Sequence, residues 1–302
     1  MPKTELKNYL HLHFLVFIWG FTAILGALIS IDAIPLVWYR MLFAVILVFI
    51  YFIIKKKSLS VGPRALLKFF IGGVIIAVHW IFFFSAIKVA NVSVALIALS
   101  TGALFTSFLE PLFFKRRINF LELLFGLIVI AGLYIILNFE GGYTLGIIYA
   151  LIASFLSVLF TVLNGLYVRK HTAEVISFYQ LLFGVGFITI YVLFTTGFTY
   201  EQFALKSSDF LYLFILSSIC TAYAFIVSVK IMKHLTPYTV ILTLNLEPVY
   251  GIILAYMFFG KREQMTIGFY AGAVIVLTAI FLYPFIKNQI QKRKLVKQIP
   301  LA

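Results

Sequence analysis

The sequence places a carboxylate, Glu247, inside an apolar run, where an ionisable side chain needs a chemical reason. Moving such a group into hydrocarbon costs about 2.5–3.5 kcal/mol on insertion scales, so intramembrane charges usually mark function. Thr239, Thr243 and Tyr250 share its helical face, because they lie three or four residues apart along it. Pro248 also removes an amide donor from this helix. We predict that Glu247 binds a substrate amine or a coupling proton; the alternative is a protonated or ion-paired carboxyl that locks helices together.

The tripeptide Leu-Glu-Pro that contains Glu247 occurs twice, but the two copies are not equivalent. The other copy places Glu110 near the end of an apolar run, shortly before Lys115 and Arg116. Its charge can therefore reach water or a cation at modest cost. Only the copy at Glu247 is a candidate for chemistry inside the apolar region.

Arg40 is another charge inside an apolar run. Its planar guanidinium could hold a substrate carboxylate through two parallel hydrogen bonds. Trp38 and Tyr39 come directly before it, however, and such aromatic residues are typical of the membrane interface. The alternative is an arginine whose long side chain reaches that interface beside an aromatic belt.

His79 and Trp80 lie deep in a third apolar run, where an imidazole beside an aromatic wall would suit a metabolite. A histidine bonded to a backbone carbonyl is the alternative, because buried polar groups are normally hydrogen-bonded. The candidate substrate-binding residues are Glu247, Arg40, His79, Trp80, Tyr223, Tyr179, Gln180, Asn245 and Trp19. No motif predicts a catalytic residue, and we expect neither a cofactor nor a metal site.

Composition predicts the elements that hold these residues. The chain has 302 residues, of which 63% are hydrophobic and 11% charged, whereas an ordinary globular domain is about 45–50% apolar. The apolar runs are continuous, which predicts spanning helices, because strands of a membrane barrel alternate apolar and polar residues. The predicted fold class is therefore an all-α integral membrane protein. Ten transmembrane helices are predicted, at approximately 12–31, 34–54, 65–87, 92–114, 119–138, 145–168, 174–196, 209–232, 238–259 and 266–286.

The distribution of charge predicts both partners and orientation. The formal net charge is +14, but Lys and Arg cluster between apolar runs rather than along a helix face with stacking aromatics. The expected partner is therefore a lipid bilayer and not nucleic acid. Most of these cations fall on alternate loops, including 55–57 and the tail at 287–297. The positive-inside rule predicts a multi-pass plasma (inner) membrane protein with both termini in the cytoplasm.

Comparison of the chain with itself predicts an internal repeat. The matched pairs are VWYRMLFA (37–44) with SFYQLLFG (177–184), Trp80 with Tyr223, and KRR (115–117) with KRE (261–263). Residues 1–142 are therefore predicted as one five-helix repeat, and residues 143–302 as a second that ends in a basic cytoplasmic tail. An odd number of helices per repeat inverts the second repeat relative to the first.

These segments resemble the drug/metabolite transporter superfamily, and within it the EamA-type transporters of ten spans. The likeness rests on FIWGFTAILG (17–26), the pair Tyr39 and Arg40, LEPVYGIILAYMFFGKRE (246–263) and GFYAGAVIVL (268–277). The resemblance implies carriage of a small metabolite, amino acid, sugar or drug, often outward and without ATP. The family often closes the fourth or ninth span with a glycine-glutamate pair. Glu263 matches that pair loosely, whereas Arg117 stands at the aligned place in the first half.

The leading hypothesis for function is a secondary transporter rather than an enzyme. It would export small metabolites such as amino acids or drugs, by alternating access between two inverted repeats. An intramembrane enzyme and a non-transporting membrane receptor are the alternatives, although no HExxH motif or nucleophile elbow is present. Gly268 and Gly272 form a GxxxG pattern, which serves either packing within the chain or a homodimer.

Overall fold

The computed structural model describes residues 3–297, so the end of the predicted basic tail, 298–302, lies outside the described residues. The described chain is helical and contains no strand. Its α-helices are α1 Lys3–Leu28, α2 Ala33–Ile54, α3 Pro63–Val89, α4 Val92–Leu99, α5 Gly102–Phe114, α6 Phe120–Phe139, α7 Thr144–Tyr167, α8 Ala173–Phe194, α9 Tyr200–Phe203, α10 Ser207–Ser217, α11 Ala224–Ile231, α12 Pro237–Leu244, α13 Glu247–Phe259 and α14 Ile267–Lys297. A π-helical turn, Ser218–Tyr223, joins α10 to α11.

Eight helical segments of the described chain are long and apolar enough to cross a membrane. One of them, Val92–Phe114, combines α4 and α5, and another, Ser207–Ile231, combines α10 and α11. The predicted ninth helix, 238–259, is instead two short helices, α12 and α13. The apolar part of α14, Ile267–Tyr283, is also shorter than a full span. The all-α fold of a multi-pass membrane protein is therefore confirmed, whereas the count of ten spans stays a prediction.

Side-chain caps explain where several helices begin. Asn91 caps α4, Asn119 caps α6 and Thr236 caps α12, each by accepting a hydrogen bond from a backbone amide of the first turn. The first amides of a helix have no partner within it, and hydrocarbon offers none. The caps therefore fix helix starts that the membrane would otherwise penalise.

Helices that the predicted repeat makes equivalent pack against each other and run antiparallel. In α2 and α8, Trp38 Nε1 donates to Thr189 Oγ1 at 2.9 Å, and Phe52 packs on Phe178 farther along. The same sense of pairing joins α6 to α14. In the broken segments, α4 packs against α13 and α12 packs against α5. In addition, α3 packs against α7 and α8, as the α10–α11 segment packs against α1 and α2. These pairings are the ones that an inverted repeat predicts.

Two helix breaks stand at equivalent places in the two halves. In the first half, α4 ends at Leu99 and α5 begins at Gly102; in the second, α12 ends at Leu244 and α13 begins at Glu247. The Ser154 hydroxyl donates to the Leu99 carbonyl at 2.7 Å and so satisfies the first break. The second break lies directly before the carboxylate residue Glu247.

Glycines let α6 and α14 approach closely. A Cβ on Gly272 would lie 2.6 Å from the Gly132 carbonyl oxygen, and a Cβ on Gly268 would overlap the Phe139 ring. The GxxxG pattern is therefore used for packing within the chain. A homodimer through the same face would have to displace α6, so any dimer must use other surfaces.

We predict that Gly272→Ala lowers the thermal unfolding midpoint of the purified protein in detergent. The new methyl group must push two backbones apart, and overpacking of this kind costs about 1–3 kcal/mol. Gly186→Ala is the matched control, because no atom of the described structure lies within 4 Å of a Cβ built there, its own helix backbone and chain neighbours aside. Its midpoint should hold or rise, since alanine favours a helix by about 1 kcal/mol over glycine. Equal midpoints for the two variants would contradict the close approach of α6 and α14.

Candidate functional site

A cavity of about 80 Å³ lies at the centre of the bundle, with room for roughly five water molecules. Both halves of the chain line it, α1–α4 from the first half and α7, α11, α12 and α13 from the second. The lining residues are Trp19, Thr22, Arg40, Ile76, His79, Trp80, Phe83, Leu99, Ser157, Phe160, Thr161, Cys220, Phe225, Ser228, Met232, Val240, Leu244 and Glu247.

Arg40 reaches this cavity from α2 and is only 1% exposed. Its Nε donates to Thr221 Oγ1 at 2.6 Å, and its Nη2 lies 3.5 Å from the Cys220 carbonyl oxygen. The guanidinium carbon lies 3.9 Å from the centre of the Trp80 ring, which is within range of a cation–π contact. Nη1 has no acceptor among the described residues. The side chain is thus held inside the bundle, in contrast to the interfacial alternative, and one donor group stays without a protein acceptor.

A π-helical turn supplies the acceptors for this guanidinium. Within Ser218–Tyr223, the Thr221 hydroxyl donates to the Leu216 carbonyl, five residues back, at 2.7 Å. The Cys220 carbonyl also accepts from Trp19 Nε1 at 3.3 Å. A π turn inserts one residue into an α-helix and is frequent at functional sites. Here it directs a hydroxyl and a carbonyl towards the centre of the bundle.

Glu247 is the first residue of α13 and lies at the cavity wall with 8% of its surface exposed. A helix N-terminus favours a negative charge at this position. Among the side chains that the structure describes, Glu247 forms no hydrogen bond, and its carboxylate is not in contact with Arg40. Asn245 lines an adjoining cavity of about 30 Å³ with Glu247, and its Nδ2 also has no described partner. This side of the cavity therefore offers one carboxylate and one amide to a ligand.

His79 lies on α3 in the same cavity wall and is buried. Its Nδ1 lies 2.7 Å from the Ala153 carbonyl oxygen, so the contact that the backbone-carbonyl alternative requires is present. In a neutral imidazole this contact makes Nδ1 the donor and leaves Nε2 as an acceptor. Trp80 follows His79 and packs on Phe225, with 5.9 Å between ring centres. His79 therefore joins α3 to α7 and can also accept a hydrogen bond from a ligand.

Three of the predicted residues line neither this cavity nor the adjoining one. Tyr223 is 42% exposed on the outer surface of the bundle. Tyr179 donates its hydroxyl to the Leu59 carbonyl at 2.8 Å, and Gln180 Nε2 donates to Asn164 Oδ1 at 2.8 Å. The structure therefore brings none of the three together with the other candidates. The hydrogen bonds of Tyr179 and Gln180 instead hold neighbouring segments in place.

Sequence patterns do not single out several residues that line the cavity, among them Thr22, Phe160, Phe225 and Ser228. Phe160 stacks on Phe225, with 5.3 Å between ring centres and 16° between planes. The Ser228 hydroxyl donates to the carbonyl of Phe225 in its own helix. Such residues are indistinguishable from ordinary packing residues in a chain with 34 phenylalanines. Only the folded arrangement reveals them.

Glu263, the carboxylate that matches the family's glycine-glutamate pair, lies away from the cavity. It accepts hydrogen bonds from Ser93 Oγ at 2.7 Å and from the backbone amides of Val92 and Ser93, each at 3.1 Å. It therefore caps the N-terminus of α4. Arg117, at the aligned place in the first half, is exposed. In the part of the chain that the structure describes, no three His, Cys, Asp or Glu side chains are grouped as metal ligands.

Comparisons with known proteins show a family match and a similar fold. The model of the EamA-like transporter family matches residues 7–138 and again residues 144–284, once in each half. No curated protein sequence matches the chain. A solved structure titled "Crystal structure of protein" superposes on it with a TM-score of 0.68, covering 96% of this chain and 99% of that chain at 13% identity. That likeness concerns the fold alone. Because the family model covers nearly the whole sequence, the chain belongs to the EamA-like transporter family, a family of membrane transporters for small molecules.

Proposed function

We propose that this chain is a secondary transporter that exports small metabolites carrying both an amine and a carboxylate, such as amino acids or drugs with that charge pattern. One observation carries the proposal. Arg40 and Glu247 come from different halves of the chain, line one cavity and do not pair with each other. A substrate carboxylate would bind the guanidinium, and its amine would bind the Glu247 carboxylate. His79, Trp80 and Trp19 would enclose the rest of the substrate.

Alternating access would follow from two inverted five-helix repeats, residues 1–142 and residues 143–302. The antiparallel pairing of α2 with α8 and of α6 with α14 supports this relation, as does a family match in each half. The broken segments α4–α5 and α12–α13 both border the cavity, and discontinuous helices are common at transporter binding sites. Exchange of conformation between the repeats would open the cavity to each side in turn.

The proposed direction of transport is outward, and the two ends of the bundle differ in a way that fits it. The cavity extends to Val240 near the start of α12, beside the basic loop that follows α11. At the opposite end, buried carboxylates join neighbouring segments: Ser30 Oγ donates to Asp209 at 2.6 Å, and the Thr266 amide donates to Glu140 at 2.8 Å. With the basic loops in the cytoplasm, this would be the state in which an exporter takes up its substrate.

An intramembrane enzyme and a non-transporting receptor are the alternative functions. Hydrolytic chemistry would need a second acid or an activated nucleophile beside Glu247, and no other described carboxylate lines the cavity. Membership of a transporter family is also consistent with a non-enzymatic role. A coupling proton on Glu247 and a homodimer stay predictions. If no metabolite accumulates or shows counterflow in liposomes that contain the folded protein, a receptor or an enzyme becomes the better proposal.

We predict that proteoliposomes containing the full chain catalyse counterflow of at least one labelled amino acid, and that Glu247→Gln slows it roughly 10- to 100-fold below saturation. Loss of one charge-assisted hydrogen bond, about 1.5–3 kcal/mol, sets this range. Glu174→Gln is the matched control, because Glu174 pairs with Lys57 at 2.9 Å outside the cavity and should keep its activity. Unchanged counterflow in folded Glu247→Gln would remove this carboxylate from the mechanism.

Arg40→Lys should weaken binding of the transported amino acid roughly tenfold or more, because an ammonium cannot form the planar two-point contact. Binding of the corresponding amine without a carboxylate should be unaffected. Ligand-induced thermal stabilisation measures both affinities. Arg169→Lys is the control, since Arg169 is exposed and its guanidinium carbon lies 5.1 Å from the Phe114 ring centre, far from the cavity lining. Equal losses for the amino acid and the amine would show that Arg40 does not read the carboxylate.

The proposed orientation predicts which cysteines an impermeant thiol reagent reaches from outside the cell. In a Cys220→Ala background, cysteines at Lys57 and Lys297 should both be protected, because both positions lie on the cytoplasmic side. A cysteine at Lys206 should react, since Lys206 is exposed at the other end of the bundle. Labelling of either of these two cysteines in intact cells would contradict the proposed topology, and with it the proposed direction of transport.

A further inference from the structure

A second cavity opens at the end of the bundle opposite the basic loops. It measures about 310 Å³, lies between α2, α3, α7, α8 and α9, and shares no lining residue with the central cavity. Its polar wall includes Asp32, Ser85, Lys88, Tyr149 and Gln202. Nothing in the proposed transport cycle uses these side chains, so their chemistry calls for a separate explanation.

Lys88 is a half-buried cation in the wall of this cavity, near the end of α3. Its Nζ donates one hydrogen bond, to the Ile29 carbonyl. An ammonium carries three donors, and none of the carboxylates with described side chains forms an ion pair with it. A cation at the level of a membrane needs a counter-charge or water. Two donors are therefore available to an anionic ligand in the cavity.

Asp32 provides the opposite charge in the same cavity. It is the N-cap residue of α2 but its side chain makes no capping hydrogen bond. Its neighbour Asp209, by contrast, is fully engaged with Ser30 and the Lys206 amide. An ammonium with two donors left over and a carboxylate without a capping hydrogen bond thus border one open cavity, and no ion pair joins them among the described contacts.

We propose that this cavity binds the headgroup of a phospholipid that carries a phosphate and a primary amine, as in phosphatidylethanolamine. The phosphate would accept from Lys88, and the headgroup ammonium would donate to Asp32. A free phosphate ester shares this chemistry, but the rim of the cavity favours a lipid. Tyr191 is 45% exposed there, and Ile190 and Phe194 on α8 are 59% and 86% exposed, an apolar surface that suits acyl chains beside an interfacial tyrosine. In the proposed topology the lipid belongs to the outer leaflet.

Thermal unfolding of the full-length protein in detergent tests this site with four added compounds. These are phosphatidylethanolamine, phosphatidylglycerol and phosphatidylcholine with identical short chains, and water-soluble glycerophosphoethanolamine. Phosphatidylethanolamine should raise the midpoint by roughly 5 °C at saturation, phosphatidylglycerol by less, and phosphatidylcholine least, since choline cannot donate to Asp32. An equal shift with glycerophosphoethanolamine would overturn the lipid as the occupant, and equal shifts with all three lipids would overturn headgroup recognition.

Variants separate the two charges. Lys88→Met should lose the shift with every phosphate headgroup, whereas Asp32→Asn should reduce the shift with phosphatidylethanolamine to that with phosphatidylglycerol. Lys206→Met is the control, because Lys206 is an exposed cation at the same end of the bundle that does not line the cavity. A full shift in Lys88→Met would overturn the site. If Lys88→Met does not fold, native mass spectrometry of Asp32→Asn provides the test, by counting the lipids of each headgroup that stay bound. If Asp32→Asn still prefers phosphatidylethanolamine, the proposal is overturned.

Discussion

The buried guanidinium of Arg40 is the constraint on which the centre of the bundle depends. A charge withdrawn from water costs several kcal/mol unless polar groups surround it. This chain surrounds it without a contacting carboxylate, through the Thr221 hydroxyl, the Cys220 carbonyl and the face of Trp80. Those groups belong to different segments, so satisfying one side chain fixes α2, α3 and the α10–α11 segment relative to one another. These acceptors hold the guanidinium at the wall of the cavity, where its Nη1 has no acceptor among the described residues.

The two halves have helix breaks at matching positions, but the side chains at these breaks differ in chemistry. The helix breaks stand at equivalent positions, yet the first is closed by hydroxyl groups and the second carries Glu247. The Leu-Glu-Pro copies show the same difference. Glu110 lies 3.3 Å from Arg116 at the basic end of the bundle, so the prediction that it reaches a cation is confirmed. The proposed repeat would therefore hold an asymmetric site, because Glu247 is a carboxylate while its counterpart position is neutral.

The sequence was sufficient to predict helices and to identify Arg40, Glu247, His79 and Trp80, because charges and aromatic pairs are conspicuous inside apolar runs. All four line one cavity. The sequence was insufficient for Tyr223, which aligns with Trp80 but is exposed. The π turn at Ser218–Tyr223 adds one residue to the helix and rotates the side chains after it, and a uniformly apolar segment gives no sign of that insertion. The direction of the Gln180 side chain could not be predicted either. Only the packing of the helices decides which face of α8 meets α3. Pro248 indicated a disturbance of the helix near 245–246, but not the division of the predicted ninth helix into two short helices.

The separation of Arg40 from Glu247 has an energetic consequence for the proposed cycle. A direct ion pair between them would satisfy both charges without substrate and would hold the halves in one arrangement. Kept apart across a cavity, each charge gains its best partner only when a ligand bridges them. A ligand shifts a conformational equilibrium only by the difference between its affinities for the two states. Because this ligand would contact both repeats, any relative movement of the repeats changes both contacts at once. In the proposed cycle, substrate binding and the exchange of repeat conformations would therefore be coupled through the same two side chains.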